Sequence, residues 1–307
     1  MIRYALHRLL TTIPVLWIAI TLSFFTLRLA PGGPFDGERP LSPAVIKNLA
    51  AHYNLDKPLF TQYWHYLLDV MRGDLGPSFA SDDFTVTDQL LQGLPFTITI
   101  GLWAMALALL VGITAGIIGA LYQNKMPDYG MGFVILIGLV VPNFLMAPIL
   151  QLIFGIWLDV VPVGGWGNGS LPNLALPIAV LALPHAARIS RLTRGSMIEV
   201  LNSNFIRTAR SKGIGARLTI IRHALKPAMI PVVSYLGPAA SYLLTGSIVV
   251  EQIFGLPGIG RLFVTAALNR DYGMVLGTVI LYMFLIVLLN LLVDIAYAWL
   301  DPKVRTR

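Results

Sequence analysis

The sequence predicts an all-α membrane protein with six transmembrane helices. Three observations carry this. Five runs contain no Asp, Glu, Lys or Arg: 9–27, 89–124, 130–158, 228–250 and 272–293. A helix of about 20 apolar residues crosses a bilayer. Hydrophobic residues are 56% of the 307 and charged residues only 12%, with a mean hydropathy of +0.73. A water-soluble domain of this length carries more charge. The Lys and Arg residues also fall unevenly between alternate connecting segments, as they do around membrane spans.

The first span is 9–29. Arg3 and Arg8 before it give the basic head of a signal peptide. Its apolar core is too long for one, and no A-x-A cleavage site follows, so it reads as an uncleaved span. Residues 1–30 therefore form an N-terminal segment with span one. Residues 31–95 form an extracytoplasmic cap, and residues 96–307 a core with spans two to six. The outer segment 30–95 carries eight acidic residues against four basic ones. Ser42-Pro43 starts a short predicted helix as cap and first turn. Pro58 followed by LFTQYWHYLLDVMRG starts a second, which Gly73 stops. Its Tyr63, Trp64 and Tyr66 suit a membrane interface.

The second span, 97–121, contains Gly112-x3-Gly116 and Gly119, small residues that let helices approach closely. The third is 131–157 and the fourth 173–190. Asp159 is the only charged residue from Tyr129 to Ala187, which leaves room for two crossings. Pro177 and Pro184 interrupt the fourth, which is tolerable where neighbours recover the freed backbone groups. The fifth is 228–250 and the sixth 275–299. Asp294, near the inner end of the sixth, reads as an interfacial carboxylate. No second intramembrane charge accompanies it, so a proton relay is poorly supported.

Orientation follows from the basic residues. With both termini cytoplasmic, the inner segments hold Arg3, Arg8, Lys125, nine residues between Arg188 and Lys226, and Lys303, Arg305 and Arg307, fifteen of the 22. Six lie outside, and Arg28 sits at the outer mouth of span one. The net charge of +7 is thus a topology signal and not evidence for nucleic-acid binding.

The inner loop Arg188–Lys226 is the informative one. Asn202-Ser203-Asn204 offers helix caps. FIRTARSK then makes about two turns, closed by Gly213 in a left-handed cap. ARLTIIRHALK leads on to Pro227. So short a helix is unstable alone in water, which points to a surface it packs on. From spacing alone, a lipid-facing polybasic loop and a docking helix both fit.

Several chemistries are excluded. No G-x-x-x-x-G-K-[ST] phosphate loop occurs, nor a G-x-S-x-G elbow or H-E-x-x-H pair, so no catalytic residue is assigned. The five histidines have no ligand spacing, no metal site is expected, and His185 reads as a polar packing residue. There are no cysteines and no nucleic-acid module.

The motifs LRLAPGGPF, GDLGPSF (73–79), RGSMIEVLNSNFIRTARSKG (194–213), EQIFGLPGIGRLF (251–263), ALNRDY (267–272) and DPKVR (301–305) together resemble the membrane subunits of ATP-binding-cassette importers. Within them, the likeness is to the peptide branch and its B-type oligopeptide permeases. The 207–213 stretch is similar to the EAA loop of that family, with Arg207 and Thr208 where Glu and Ala usually stand. The resemblance implies a type I importer permease fold in the bacterial inner membrane. It implies two homologous permeases as a heterodimer, two ATPase subunits that bind ATP and Mg, an extracytoplasmic peptide-binding protein, and surrounding lipid. This chain itself would bind no cofactor.

On that resemblance Phe205, Ile206, Arg207, Ala209, Arg210, Gly213 and Ile214 are expected to couple to the ATPase. Ile206, Ala209, Gly213 and Ile214 would form the apolar contact, with Arg207 and Arg210 meeting acidic groups. Glu251, Gly255, Pro257, Gly258 and Gly260 form either an outer gate segment or an ordinary surface turn with a short helix. Glu251 is expected to pair with Arg261 or Arg270. Oligopeptides are the expected cargo. Dipeptides, glutathione, nickel chelates or haem are alternatives, with an ion-coupled transporter or a membrane-embedded enzyme or scaffold more distant.

Overall fold

The computed structural model describes residues 2–29, 54–81 and 83–300. The helix predicted from Ser42, Asp82, the terminal DPKVR and the side chain of Asp294 lie outside the described residues. Among those described, the chain is helical, with one isolated bridge between Pro77 and Thr85.

Helix α1 spans Ile2–Leu29 and α2 Leu59–Met71. Pro58 occupies the N-cap position of α2, and Gly73 ends it at φ +83°. Helix α3 runs Val86–Leu121, about 54 Å at 1.5 Å per residue, longer than the hydrocarbon layer of about 30 Å. It begins well before the predicted span because Thr85 caps it: Thr85 Oγ1 accepts from the Asp88 N–H (3.1 Å) and Asp88 Oδ2 accepts from the Thr85 N–H (3.2 Å). This reciprocal box satisfies two otherwise orphaned donors.

The predicted third span, 131–157, is broken. Helix α4 (Met126–Val140) and the stretch Asn143–Trp157 meet at 111°. Within that stretch α5 (Asn143–Leu150) runs on into π-helical Gln151–Trp157. The cause is Pro142. The residue before a proline avoids the helical region, and Val141 is extended at φ −82°, ψ 118°. Among the described residues five helices are long and apolar enough to cross a membrane, six if the bent pair counts as one.

Helix α6 (Leu171–Leu201) continues eleven residues past the predicted span. It is followed by α7 (Asn204–Ser211), α8 (Ala216–Leu218), a π-helical turn at Thr219–Ala224 and α9 (Leu225–Ala228). Then come α10 (Ile230–Phe254), α11 (Ile259–Leu268) and α12 (Tyr272–Leu300).

The central contact is α3 on α6. A Cβ on Gly112 would sit 2.7 Å from the Ala186 carbonyl oxygen, and one on Gly116 the same distance from that of Ser190. Glycine is required there for the two backbones to meet. Around this seam Ile100, Ala108, Val180, Leu181, Ile189, Val250 and Phe254 form one core. A second cluster joins Phe24 of α1, Tyr63 of α2 and Leu276 and Ile280 of α12, with the Tyr63 hydroxyl 2.7 Å from Thr21 Oγ1. At the start of α4, Asp128 accepts from Arg194 with both its oxygens, at 2.6 and 2.7 Å, fixing α4 to α6.

Candidate functional site

The first candidate site is built on α7. An eight-residue helix is marginal alone, and the fold supplies what holds it. Ile206 is fully buried among Ala120 of α3, Met197 of α6, and Ala224 and Ala228. Burial of such a side chain contributes about 2 kcal/mol. Ala209, one turn on, is also buried. These two residues, expected as apolar contacts for a partner, are therefore turned into their own chain. What α7 presents outward is Phe205, 50% exposed, with Arg207, Thr208, Arg210, Ser211 and Lys212. Among the described residues no carboxylate pairs with Arg207, Arg210 or Lys212.

The ends of α7 are closed locally. Ser203 stands at the N-cap, but its hydroxyl donates to the Val200 carbonyl (2.6 Å) and not back to α7. At the other end Gly213 adopts φ +77°. Its N–H reaches the Arg210 carbonyl (2.9 Å), and that of half-buried Ile214 reaches Ala209 (3.3 Å). This is a left-handed helix stop.

The segment 251–260 is a closed turn organised by Glu251. Its carboxylate lies in the last turn of α10 and is fully buried. Contrary to the expectation from sequence, it pairs with the side chain of neither Arg261 nor Arg270. Instead Oε1 accepts from the Thr97 hydroxyl of α3 (2.8 Å), and Oε2 accepts from the backbone N–H of Gly260 (2.7 Å) and Arg261 (3.3 Å). Thr97 Oγ1 in turn accepts from the Ile259 N–H (2.9 Å). The carboxylate thus caps the N-terminus of α11, where backbone donors have no helical partner and the helix dipole favours negative charge. The Arg261 guanidinium donates to the Gly255 carbonyl.

Gly255 ends α10 at φ +64°. Pro257 is exposed, while Gly258 and Gly260 are buried. A Cβ on Gly258 would lie 2.6 Å from Thr97 Oγ1, so a side chain there would push the latch apart. The Gly165 N–H seals the Phe254 carbonyl at 2.7 Å. Thr97 escaped the sequence reading, because a lone hydroxyl in an apolar run carries no pattern.

A third group was also missed. Arg188 was expected at the inner end of a span, but α6 continues to Leu201 and leaves it within the helix. Its guanidinium lies over the Tyr235 ring of α10, 5.7 Å from the centroid. The Tyr235 hydroxyl is hydrogen-bonded to Nδ1 of buried His185 at 2.9 Å. The His185 ring meets Tyr242 edge-on at 5.2 Å. His185 is thus the polar packing residue expected, with Nε2 lacking a partner among the described residues. No group of three His, Cys, Asp or Glu residues able to hold a metal occurs among the described residues.

Three comparisons bear on this geometry. Residues 112–306 match the family described as binding-protein-dependent transport system inner membrane component. The oligopeptide transport system permease protein OppB of Salmonella typhimurium is 52% identical over 99% of this chain and 100% of its own. The dipeptide transport system permease protein DppB of Bacillus subtilis is 38% identical over 99% and 98%. Among solved structures, an amino acid ABC transporter crystallised with histidines superposes with a TM-score of 0.55, at 16% identity over 69% of this chain and 94% of that one. This last likeness concerns the fold alone.

Proposed function

The chain belongs to the binding-protein-dependent transport system inner membrane components, and we propose on that premise that it is the permease subunit of an ATP-driven importer carrying oligopeptides across the inner membrane. The cargo rests on the oligopeptide permease that is 52% identical over the full length. The dipeptide relative at 38% keeps shorter peptides as the second reading.

The observation that carries the reading is α7. It is an anchored, basic helix whose exposed face has no acidic partner among the described residues. Such a face suits a cleft on a cytoplasmic ATPase. Phe205 is its apolar knob, Arg207 and Arg210 its cations, and Gly213 with Ile214 its stop. Ile206 and Ala209 act from behind, transmitting force from α7 into the ends of α3 and α6. ATP and Mg are bound and hydrolysed on two partner ATPases, and this chain holds no cofactor. A homologous second permease completes the path, a peptide-binding protein delivers cargo from outside, and both termini lie in the cytoplasm. The turn 251–260 serves as the outer gate segment, its latch between Glu251, Thr97 and the start of α11 being the part that must hold or release.

Co-purification in mild detergent tests this. Recovery of one second permease and two ATPases per chain is expected. A self-sufficient homodimer without ATPases contradicts it.

A further inference from the structure

Arg188 is a cation in the inner half of the membrane with no carboxylate of the described residues beside it. Its depth follows from packing. Met197 and Ala228 share an apolar layer with Ala120, one residue short of the inner end of α3. Arg188 precedes Met197 by nine residues, about 14 Å of helix. Tyr235 follows Ala228 by seven, about 10 Å. In a hydrocarbon layer of about 30 Å, both lie in the inner half.

An exposed arginine at that depth does not face lipid; it faces water, a ligand or another chain. The neighbouring surface agrees. The exposed stripe of α10 runs Ile230, Ser234, Pro238, Tyr242, Thr245 and Val249 at helical spacing, and its middle, beside Arg188, carries the polar Ser234, Tyr242 and Thr245. The exposed faces of α3 and α4 carry Leu102, Leu110, Phe133 and Leu136 instead, a surface suited to lipid.

We infer that Arg188, flanked by Tyr235 and Tyr242, is a subsite of the translocation path that receives a carboxylate of the peptide in transit. This rests on the peptide-importer reading above. The guanidinium is permanently charged and its fork matches a carboxylate in two parallel hydrogen bonds. It is also partly oriented before the ligand arrives. The Tyr235 ring lies under it, and His185 fixes that ring through the hydroxyl. Every unmodified peptide carries one C-terminal carboxylate whatever its sequence, so a single arginine here serves many cargoes. An acidic side chain offers the same chemistry.

The test is uptake into vesicles holding the full complex with its binding protein. Three probes are compared: tri-alanine, tri-alanine amide, and the amide of Ala-Glu-Ala. For each probe the variant is divided by wild type, which cancels any discrimination by the binding protein. Arg188→Gln is expected to lower tri-alanine uptake about tenfold or more, the scale of a lost charge-assisted hydrogen bond. Uptake of tri-alanine amide is expected to fall no more than about twofold, within the non-specific effect of a surface substitution. Arg188→Lys, which keeps the charge, is expected to retain most of the acid preference. Selective loss of Ala-Glu-Ala amide, with tri-alanine spared, assigns the carboxylate to side chains.

Equal loss of all three probes in both variants overturns the subsite, as does no loss at all. So does failure of Arg188→Gln to recover the second permease, which would make Arg188 an inter-subunit contact. Absence of ATP-dependent peptide uptake by the wild-type complex overturns the importer reading itself.

Discussion

Replacing Glu251 by alanine removes the acceptor that holds the outer turn together. The carboxylate accepts directly from Thr97 Oγ1 and from the N–H of Gly260, both buried, and from the N–H of Arg261 at the edge of the turn. The Arg261 contact, at 3.3 Å, is weak. That leaves two good donors stranded, each costing about 1–3 kcal/mol when buried without a partner. The expected destabilisation of the α10–α11 turn is thus about 4 kcal/mol, close to a thousandfold in its opening equilibrium. Glu251→Gln keeps one carbonyl oxygen for Gly260 and loses the charge assistance, so about tenfold is expected.

Hydrogen exchange read on a fragment covering 256–262, in nanodiscs, measures this opening directly. Protection of the Gly260 amide should fall in the order wild type, Glu251→Gln, Glu251→Ala, while the α3–α6 seam stays protected. Two results refute the reasoning. One is exchange in Glu251→Ala equal to wild type. The other is equal loss in both variants, which would mean that the side-chain volume and not its acceptors holds the turn.

Further outcomes follow from the same geometry. Gly213→Val forces a branched side chain to φ +77° where surrounding space is open, at a backbone cost of about 1–2 kcal/mol; ATP hydrolysed per peptide imported should rise while expression holds. Ile206→Ala deletes a fully buried side chain beneath α7 at a cost of about 2–4 kcal/mol, and protease sensitivity at 204–215 should rise with loss of bound ATPase. Gly116→Leu drives a side chain into Thr193, and overpacking by about 1–3 kcal/mol or more should lower the melting temperature. Asp128→Asn breaks the two-oxygen pair with Arg194, itself one-third exposed, so a loss of about 1–3 kcal/mol is expected. Adding Arg194→Gln should recover part of it, as read by a double-mutant cycle.

What the sequence made legible was local. The uncharged runs located the long helices because a bilayer tolerates little else. FIRTARSKG announced α7 and its stop because a helix and its glycine cap lie within nine residues. The misreadings came from contacts between distant segments. Ile206 looked like a docking residue until Ala120, Met197 and Ala228 were found around it. Glu251 stood out as an acid directly after an apolar span, but its partner was sought among basic side chains. Its partners are Thr97, 154 positions away, and the bare N–H groups that open α11. Prolines were ambiguous for the same reason. Pro177 and Pro184 sit inside unbroken α6, whereas Pro142 marks a turn of 111°. Arg188 was placed at the membrane edge because the charge was read as the end of the span, when the helix runs on to Leu201.

The central claim is that this chain moves peptide only when an ATPase works against α7. Vesicles containing the chain, its second permease and both ATPases, supplied with binding protein outside, should accumulate labelled peptide with ATP inside. They should stop when the ATPases are left out or when Ile206→Ala unseats α7. Peptide accumulation driven by an ion gradient in vesicles lacking the ATPases would contradict the account.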